Sequence, residues 1–279
     1  MHRLRVRWQE VDAQQVVFNG HYLTYLDVAI SDYWRAVGLP YPDAFSHLGG
    51  DVFVRHHTLA YHAPARLDDW LDIGVRCESI GTSSIKVGWA VWSDHRLLVT
   101  GETVYVYINQ GSGRSEPVPP SMRQQIQAHA SHEPVTALKL GSWAELQEGA
   151  RHVRTEVYIK EQAIPPHEEW DTEDAHACHA MISNLAGLPL ATGRLITKGM
   201  IPGEARIGRM AVLRSMRGAG LGQAVLDALL QVAADRNCHR ITLHAQTSAQ
   251  AFYARHGFVP SGDVFDEVGI PHILMTGSA

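Results

Sequence analysis

Residues Gly208–Gly222, GRMAVLRSMRGAGLG, constrain this chain more than any other stretch. The apolar run from Ile207 to Leu213 predicts a strand, and the stripe Leu221, Val225, Leu229 and Val232 predicts a helix. Between them lies Arg217-Gly218-Ala219-Gly220-Leu221-Gly222. A glycine turn entering a helix leaves several backbone N–H groups without helical partners, at the positive end of the helix dipole. Glycine also lets phosphates approach the backbone closely. The stretch therefore predicts a pyrophosphate cradle, although the same glycines would also serve an ordinary strand–turn–helix packed for compactness.

The segments beyond the turn narrow the choice. A helix, a strand over Ile241–Ala245 and then Phe252-Tyr253-Ala254-Arg255-His256-Gly257-Phe258 come in a fixed order after the Arg-x-x-Gly-x-Gly motif. That order resembles the GNAT superfamily of acyl-CoA-dependent acyltransferases. Glu161-Gln162, Glu169-Trp170-Asp171, Ala191-Thr192-Gly193-Arg194-Leu195, Leu243-His244-Ala245-Gln246 and Gly269-Ile270-Pro271-His272 resemble its ElaA-like branch. The resemblance spans roughly residues 135–279.

The length of 279 residues suits two domains, and 45% hydrophobic with 19% charged residues describes a folded chain. The net charge of −5, with Arg and Lys scattered through both halves, gives no footprint for nucleic acid. No apolar run approaches the ~20 residues of a membrane span, and the N-terminus lacks the apolar stretch of a signal peptide. Cys77, Cys178 and Cys238 form no metal or redox pattern, which predicts structural thiols in a reducing cytoplasm. The 17 histidines invite a metal, but His56 and His57 are adjacent on an expected strand and point to opposite faces. With no Cys/His set of ligand spacing, no metal is expected.

The first half reads as α+β. Leu4, Val6 and Trp8 alternate with Arg3, Arg5 and Arg7, predicting a strand over Arg3–Gln9. Tyr22, Leu26, Ile30, Tyr33 and Val37 recur at helical spacing from about Gly20 to Val37, and Gly38-Leu39-Pro40 ends the helix. Beyond Asp51 the period changes to two. Phe53–His62 and the segments around Ile73–Cys77, Ile85–Val91 and Val104–Ile108 predict four strands, with turns at Ile80-Gly81 and Asp94-His95. A sheet of that kind must cover the apolar stripe of the helix. Val11-Asp12-Ala13 with Val16-Val17-Phe18-Asn19, and Tyr61-His62-Ala63-Pro64-Ala65-Arg66-Leu67-Asp68-Asp69, resemble the hotdog fold of the 4-hydroxybenzoyl-CoA thioesterase family in its YbgC/FadM-like form. That resemblance covers about residues 2–128.

Asn109–Val135 is rich in Gly, Ser and Pro around a helix-like piece, Ser121–Ala130, and reads as the boundary. The expected division is 1–130, a hotdog domain, and 131–279, a GNAT α/β domain with a mixed sheet and flanking helices. In the second half a short strand near Thr136–Leu140 precedes a helix from about Trp143 to Glu161. Strands then follow near Ala175–Ser183 and Pro189–Thr197.

From the residues alone, Asp12 is either a loop or capping carboxylate or a chemical group at a helix start. The hotdog resemblance implies that Asp12 attacks a thioester or activates a water, while the Asn19 N–H polarises the carbonyl oxygen. Gln14-Gln15 depart from the family, where small residues and often glycines stand. Glu10, two residues before Asp12, is expected as a solvated charge at a strand end. The resemblance further implies at least a homodimer. In the second half the GNAT resemblance implies that Met210, Ala211 and Val212 bond the pantetheine of coenzyme A through their main chain. It places the pyrophosphate on Arg217, Gly218, Ala219, Gly220, Leu221 and Gly222, and the protonation of the leaving thiolate on Tyr253. Gln246 stands where relatives carry Asn and is a candidate cofactor contact. His244, Glu169 and His272 are candidate bases, with the acidic loop around Glu169 facing a cationic amine.

The expected function is an acyl-CoA thioesterase joined to an N-acyltransferase that moves an acyl group, acetyl in the first instance, to an amine. Two alternatives stay open: an acyltransferase carrying a hotdog dimerisation or acyl-binding module, or a thioesterase governed by a CoA-sensing GNAT half.

Overall fold

The computed structural model describes residues 1–278. Its contacts divide the chain into two compact units, Met1–Val135 and Thr136–Ala279. No helix among the described residues is long and apolar enough to cross a membrane.

The first unit is an antiparallel sheet against one long helix. In chain order it holds β1 (His2–Arg5), α1 (His21–Ala36), α2 (Asp43–His47), β2 (Gly50–Tyr61), β3 (Trp70–Ile80), β4 (Ser84–Ser93), β5 (Arg96–Asn109) and α3 (Pro120–Ala130). The strands lie in the order β1-β3-β4-β5-β2. The helical stripe behaves as its spacing predicts: Tyr22, Leu26, Ile30, Tyr33 and Val37 are all buried. Tyr22, Tyr25, Leu26 and Ala29 share one core with Leu71, Ile73, Trp89, Val91 and Val99 from the sheet. Each large side chain buried there stabilises the packing by roughly 1.5–3 kcal/mol.

Two expectations change. The first strand stops at Arg5, and Trp8–Glu10 forms a 3-10 turn that leaves Trp8 exposed. Alternation of Arg with apolar residues continues in the sequence to Trp8, but β1 pairs β3 only through Arg5 opposite Trp70. Asn109–Val135, expected as a linker, is tied to the first unit. Met122 and Ile126 of α3 are buried, and the Gln125 side-chain amide donates to the Val37 carbonyl at 2.7 Å. Buried Gln125 thereby satisfies a carbonyl at the end of α1 that the helix itself leaves unpaired.

The second unit is a sheet with helices. It contains β6 (Thr136–Gly141), α4 (Trp143–Arg154), α5 (Pro166–Glu169), β7 (Cys178–Asn184), β8 (Pro189–Ile196), β9 (Glu204–Val212), α6 (Leu221–Asp235), β10 (Arg240–Gln246), α7 (Gln250–Ala254), β11 (Val259–Pro260), β12 (Phe265–Glu267) and β13 (Ile270–Gly277). The sheet runs β11-β13-β10-β9-β8-β7-β6, with β12 beside β13. Among the described residues only β9 and β10 pair in parallel, which makes the sheet mixed as expected. A side chain at Gly193 on β8 would strike Val225 and Leu229 of α6, so that glycine lets the helix settle on the sheet.

The helix expected from Trp143 to Glu161 is α-helical only to Arg154; Thr155–Glu161 widens into a π-helical turn. Helical spacing continues through both parts, so periodicity does not reveal the change. Such turns recur at functional sites. The next strand begins at Cys178, because Thr172–His176 is a 3-10 turn capped by the Asp171 carboxylate, which accepts from the Glu173 N–H at 3.0 Å.

Candidate functional site

In the first unit the loop ahead of α1 closes on itself. The Asp12 N–H donates to the Val16 carbonyl at 2.9 Å, and Val11 bridges Val17. The Asp12 Oδ1 accepts from the Gln14 N–H at 2.8 Å, an Asx turn that orients the carboxylate. Gln15 has φ of 60°, the left-handed region in which glycine is free of strain. The departure from small residues at Gln14-Gln15 therefore falls on a position with a backbone preference.

α1 starts with Gly20 at its cap and no side-chain cap. The Asn19 carbonyl accepts from the Tyr61 hydroxyl at 3.2 Å. The Asn19 N–H has no hydrogen-bond partner among the described residues and sits beside the positive end of the helix. Sequence reasoning places Asp12 and Asn19 in one loop, and the structure keeps both there.

Glu10 corrects an expectation. It is not a solvated strand end but is 2% exposed. It accepts from the Arg7 N–H at 2.8 Å, the Arg7 Nε at 2.7 Å and the Tyr25 hydroxyl at 2.8 Å. Burial opposes its ionisation, but the bonds from Arg7 and Tyr25 outweigh that and hold its carboxyl below the usual range. Its own carbonyl accepts from the Phe18 N–H at 2.9 Å, so Glu10 ties the Asp12 loop to α1. No local signal could have shown this, since Tyr25 lies a full turn into the helix.

In the second unit β9 and β10 pair only from Glu204–Arg206 with Arg240–Thr242 and then part. The gap opens a cleft of about 860 Å³ lined by both strands, the π-helical turn, the glycine turn and α7. A β-bulge at Arg209–Met210 shifts the register of β9 against β8, with Arg209 at φ of 52°. Such a backbone costs a non-glycine residue ~1–2 kcal/mol. The Arg209 guanidinium offsets it by binding the Glu169 carboxylate at 3.2 Å, the Glu169 carbonyl at 3.0 Å and Asp171 at 3.1 Å.

The acidic loop around Glu169 lines the cleft, and most of its carboxylates are paired with arginines. Buried Arg154 binds Glu169 and, through both carboxylate oxygens at 2.8 and 3.0 Å, Asp174. Arg194 binds Asp171 and Asp174 at 2.6 and 2.7 Å. Arg206 reaches Glu173 at 2.6 Å. Burial pushes the Glu169 carboxyl up despite Arg154 and Arg209. Asp171 goes the other way: burial opposes ionisation, but Arg194 and Arg209 prevail and bring it down to about 2. Trp170 lies between these groups, its ring under the Arg151 and Arg154 guanidinium groups at 4.7 and 4.8 Å.

Met210, Ala211 and Val212 line the cleft. Two of their carbonyls are already occupied, Met210 by the Tyr158 hydroxyl at 2.7 Å and Val212 by the Arg217 Nε at 3.3 Å. Gly218 and Gly220 have φ of 85° and 81°, and a Cβ at either would meet nothing within 4 Å. Gly220 is the cap of α6 and no side chain caps that helix, so the turn offers open backbone donors. The donor set fits a pyrophosphate. The Arg217 guanidinium does not face the open turn; it pairs with both oxygens of Glu161 at 2.7 and 2.6 Å. Gln246 pairs with Gln162, donating its amide to the Gln162 oxygen at 2.9 Å. Tyr158 and Glu161 belong to the π-helical turn and Gln162 closes it, so their side chains carry that turn to β9, the glycine turn and β10. Glu161-Gln162 is legible as a motif, but not its partners.

Tyr253 is 8% exposed, lines the cleft, and its hydroxyl makes no hydrogen bond with the described residues. Burial pushes its phenol up to about 12, so it holds its proton at neutral pH. His244 and His272 also line the cleft. The His244 Nδ1 bonds Glu267 at 3.1 Å, and the His272 Nδ1 bonds the Ile270 carbonyl at 2.8 Å.

A family profile for the GNAT acetyltransferase domain matches residues 155–278, and one for the thioesterase superfamily matches residues 14–100. The chain is 38% identical over 127 residues to the uncharacterized N-acetyltransferase YjcF of Bacillus subtilis, covering 45% of this chain and 88% of that protein. It is 32% identical over 135 residues to the uncharacterized protein YyaT of the same organism, covering 48% and 88%. A crystal structure of a thioesterase from Thermus thermophilus, complexed with coenzyme A and Zn, is 27% identical with a TM-score of 0.41, covering 46% of this chain and 93% of that one. The chain joins a hotdog domain of the thioesterase superfamily to a C-terminal domain that belongs to the GNAT acetyltransferase family.

Proposed function

We propose that the chain is a bifunctional acyl-CoA enzyme: the first unit hydrolyses an acyl-CoA thioester, and the second transfers an acyl group, acetyl in the first instance, from coenzyme A to an amine. The observation that carries the reading is the cleft between β9 and β10, with a free tyrosine hydroxyl inside and an uncapped glycine turn at the start of α6.

In the second unit the parted strand β9 takes the pantetheine arm, and the backbone donors of Gly218–Gly222 take the pyrophosphate. Holding amine and thioester in one cleft supplies proximity. Tyr253 protonates the departing thiolate, a role suited to a phenol that keeps its proton. In the first unit the Asn19 N–H receives the carbonyl oxygen as negative charge develops on it. The Asp12 carboxylate attacks the carbonyl carbon or takes a proton from the attacking water. The Asx turn and the Glu10 brace hold that carboxylate in place. The hotdog unit acts as a homo-oligomer.

The test is a panel of acyl-CoA thioesters incubated with and without an amine library, scored separately for free acid and for amide. Both products support the reading. Amide alone leaves the hotdog unit as a binding module, and acid alone leaves the GNAT unit as a sensor.

A further inference from the structure

Moving an acyl group to an amine requires the amine to lose a proton, and the cleft offers three candidate bases. Glu169 is committed to Arg154 and Arg209. The two histidines differ. A carbonyl only accepts, so the His272 Nδ1 carries the proton and donates to Ile270, with no charged partner for the ring. The His244 Nδ1 donates to the Glu267 carboxylate at 3.1 Å, which orients the ring and leaves the Nε2 lone pair without a partner.

Placement agrees. His244 and Gln246 lie two apart on β10 and share a face of the sheet. Gln246 stands opposite His272, His272 opposite Phe265, and Glu267 two residues beyond Phe265. The Phe265 ring meets His244 edge-on at 5.0 Å and stacks on His272 at 6.1 Å. His244, Glu267 and His272 all line the cleft that holds Tyr253. The His244 side chain is 43% exposed, so a proton taken from the acceptor can pass on to water.

We infer that His244 is the general base of the acyl transfer and that Glu267 is its positioning residue. This rests on the acyl-transfer reading of the same cleft. An ammonium acceptor gives one proton to the His244 Nε2. The freed nitrogen lone pair forms the C–N bond at the thioester carbonyl, and the C–S bond breaks with its electron pair going to sulfur. Sulfur takes the Tyr253 proton, and the second nitrogen proton restores the phenol. The His244 proton leaves to solvent, so amide, free thiol and one proton are the products.

The full-length protein with acetyl-CoA tests this, with amide counted by mass spectrometry so that hydrolysis does not enter. One set of acceptors is primary alkylamines from butylamine to spermidine, which are protonated near neutral pH. The other is methoxyamine and aniline, which are already free bases. His244→Ala should lower transfer to the alkylamines by ~100-fold, and to the free-base amines by no more than about threefold. Glu267→Gln should show the same selective loss, smaller in size, because the amide oxygen still accepts the Nδ1 proton but orients the ring less firmly than the carboxylate. Equal losses with both sets would make His244 structural, and no loss with either would remove it from the chemistry; both overturn the proposal. If the unaltered protein transfers to neither set, the acyl-transfer reading itself fails and the proposal falls with it.

Discussion

At the scale of single residues the two units place different demands on their acids. Asp12→Asn is nearly isosteric and keeps the Asx-turn acceptor, yet is neither a nucleophile nor a base. Hydrolysis should fall by at least ~100-fold with no change in melting temperature. Single turnovers in isotopically labelled water then separate the roles, since label entering the Asp12 side chain means an anhydride and label only in the acid means general-base attack. Acid stability has a definite sign. Asp171 has its carboxyl lowered to about 2, and Glu10 is also lowered, so both stabilise the fold above the ordinary carboxylate range and lose that contribution as pH falls below it. Glu169 is raised and works in the opposite direction, gaining a proton in the folded state first. The melting temperature should drop between about pH 4 and pH 2, and Asp171→Asn should flatten that drop while lowering stability at neutral pH. An acid slope unchanged by the substitution would remove Asp171 as its source.

At the scale of elements, the glycine turn and the π-helical turn frame the cleft. Gly220 has φ of 81°, so Gly220→Asp brings both backbone strain and negative charge. Gly220→Asn brings the same shape in a residue that tolerates the left-handed region, without the charge. Calorimetry with coenzyme A should show the Asp variant at least ~10-fold weaker than the Asn variant, a difference of ~1.4 kcal/mol. Equal affinities would mean that the turn meets no phosphate. These elements also show how far the sequence carries. Periodicity places α1, the strands β2–β5 and α6, because a stripe or an alternation is a property of neighbours in the chain. The Arg217–Glu161 and Gln246–Gln162 pairs join residues far apart in sequence, and no spacing rule reaches them. The same holds for Glu10 against Tyr25 and for His244 against Glu267. The placement of Tyr253 in α7 and of Asp12 in the loop ahead of α1 follows from motifs that are local. The end of α4 at Arg154 does not, since an α-helical and a π-helical turn share the same apolar spacing over so short a run.

At the scale of the whole molecule, each unit has its own core, and the contacts divide the chain after Val135. Fragments 1–135 and 136–279 should each fold, and shortening the first before α3 should destabilise it, because Gln125, Met122 and Ile126 are buried there. A first fragment that melts unchanged without α3 would contradict that packing. The central claim is that one chain holds two separate acyl-CoA chemistries. Its most direct measurement is acid and amide production by the intact protein, with one acyl-CoA and one accepted amine, in the unaltered form, Asp12→Asn and Tyr253→Phe. Asp12→Asn should abolish the acid and leave the amide, while Tyr253→Phe should lower the amide by ~100-fold and leave the acid. Loss of acid in folded Tyr253→Phe, or of amide in folded Asp12→Asn, would contradict two independent sites and mean that occupancy of one unit governs the other.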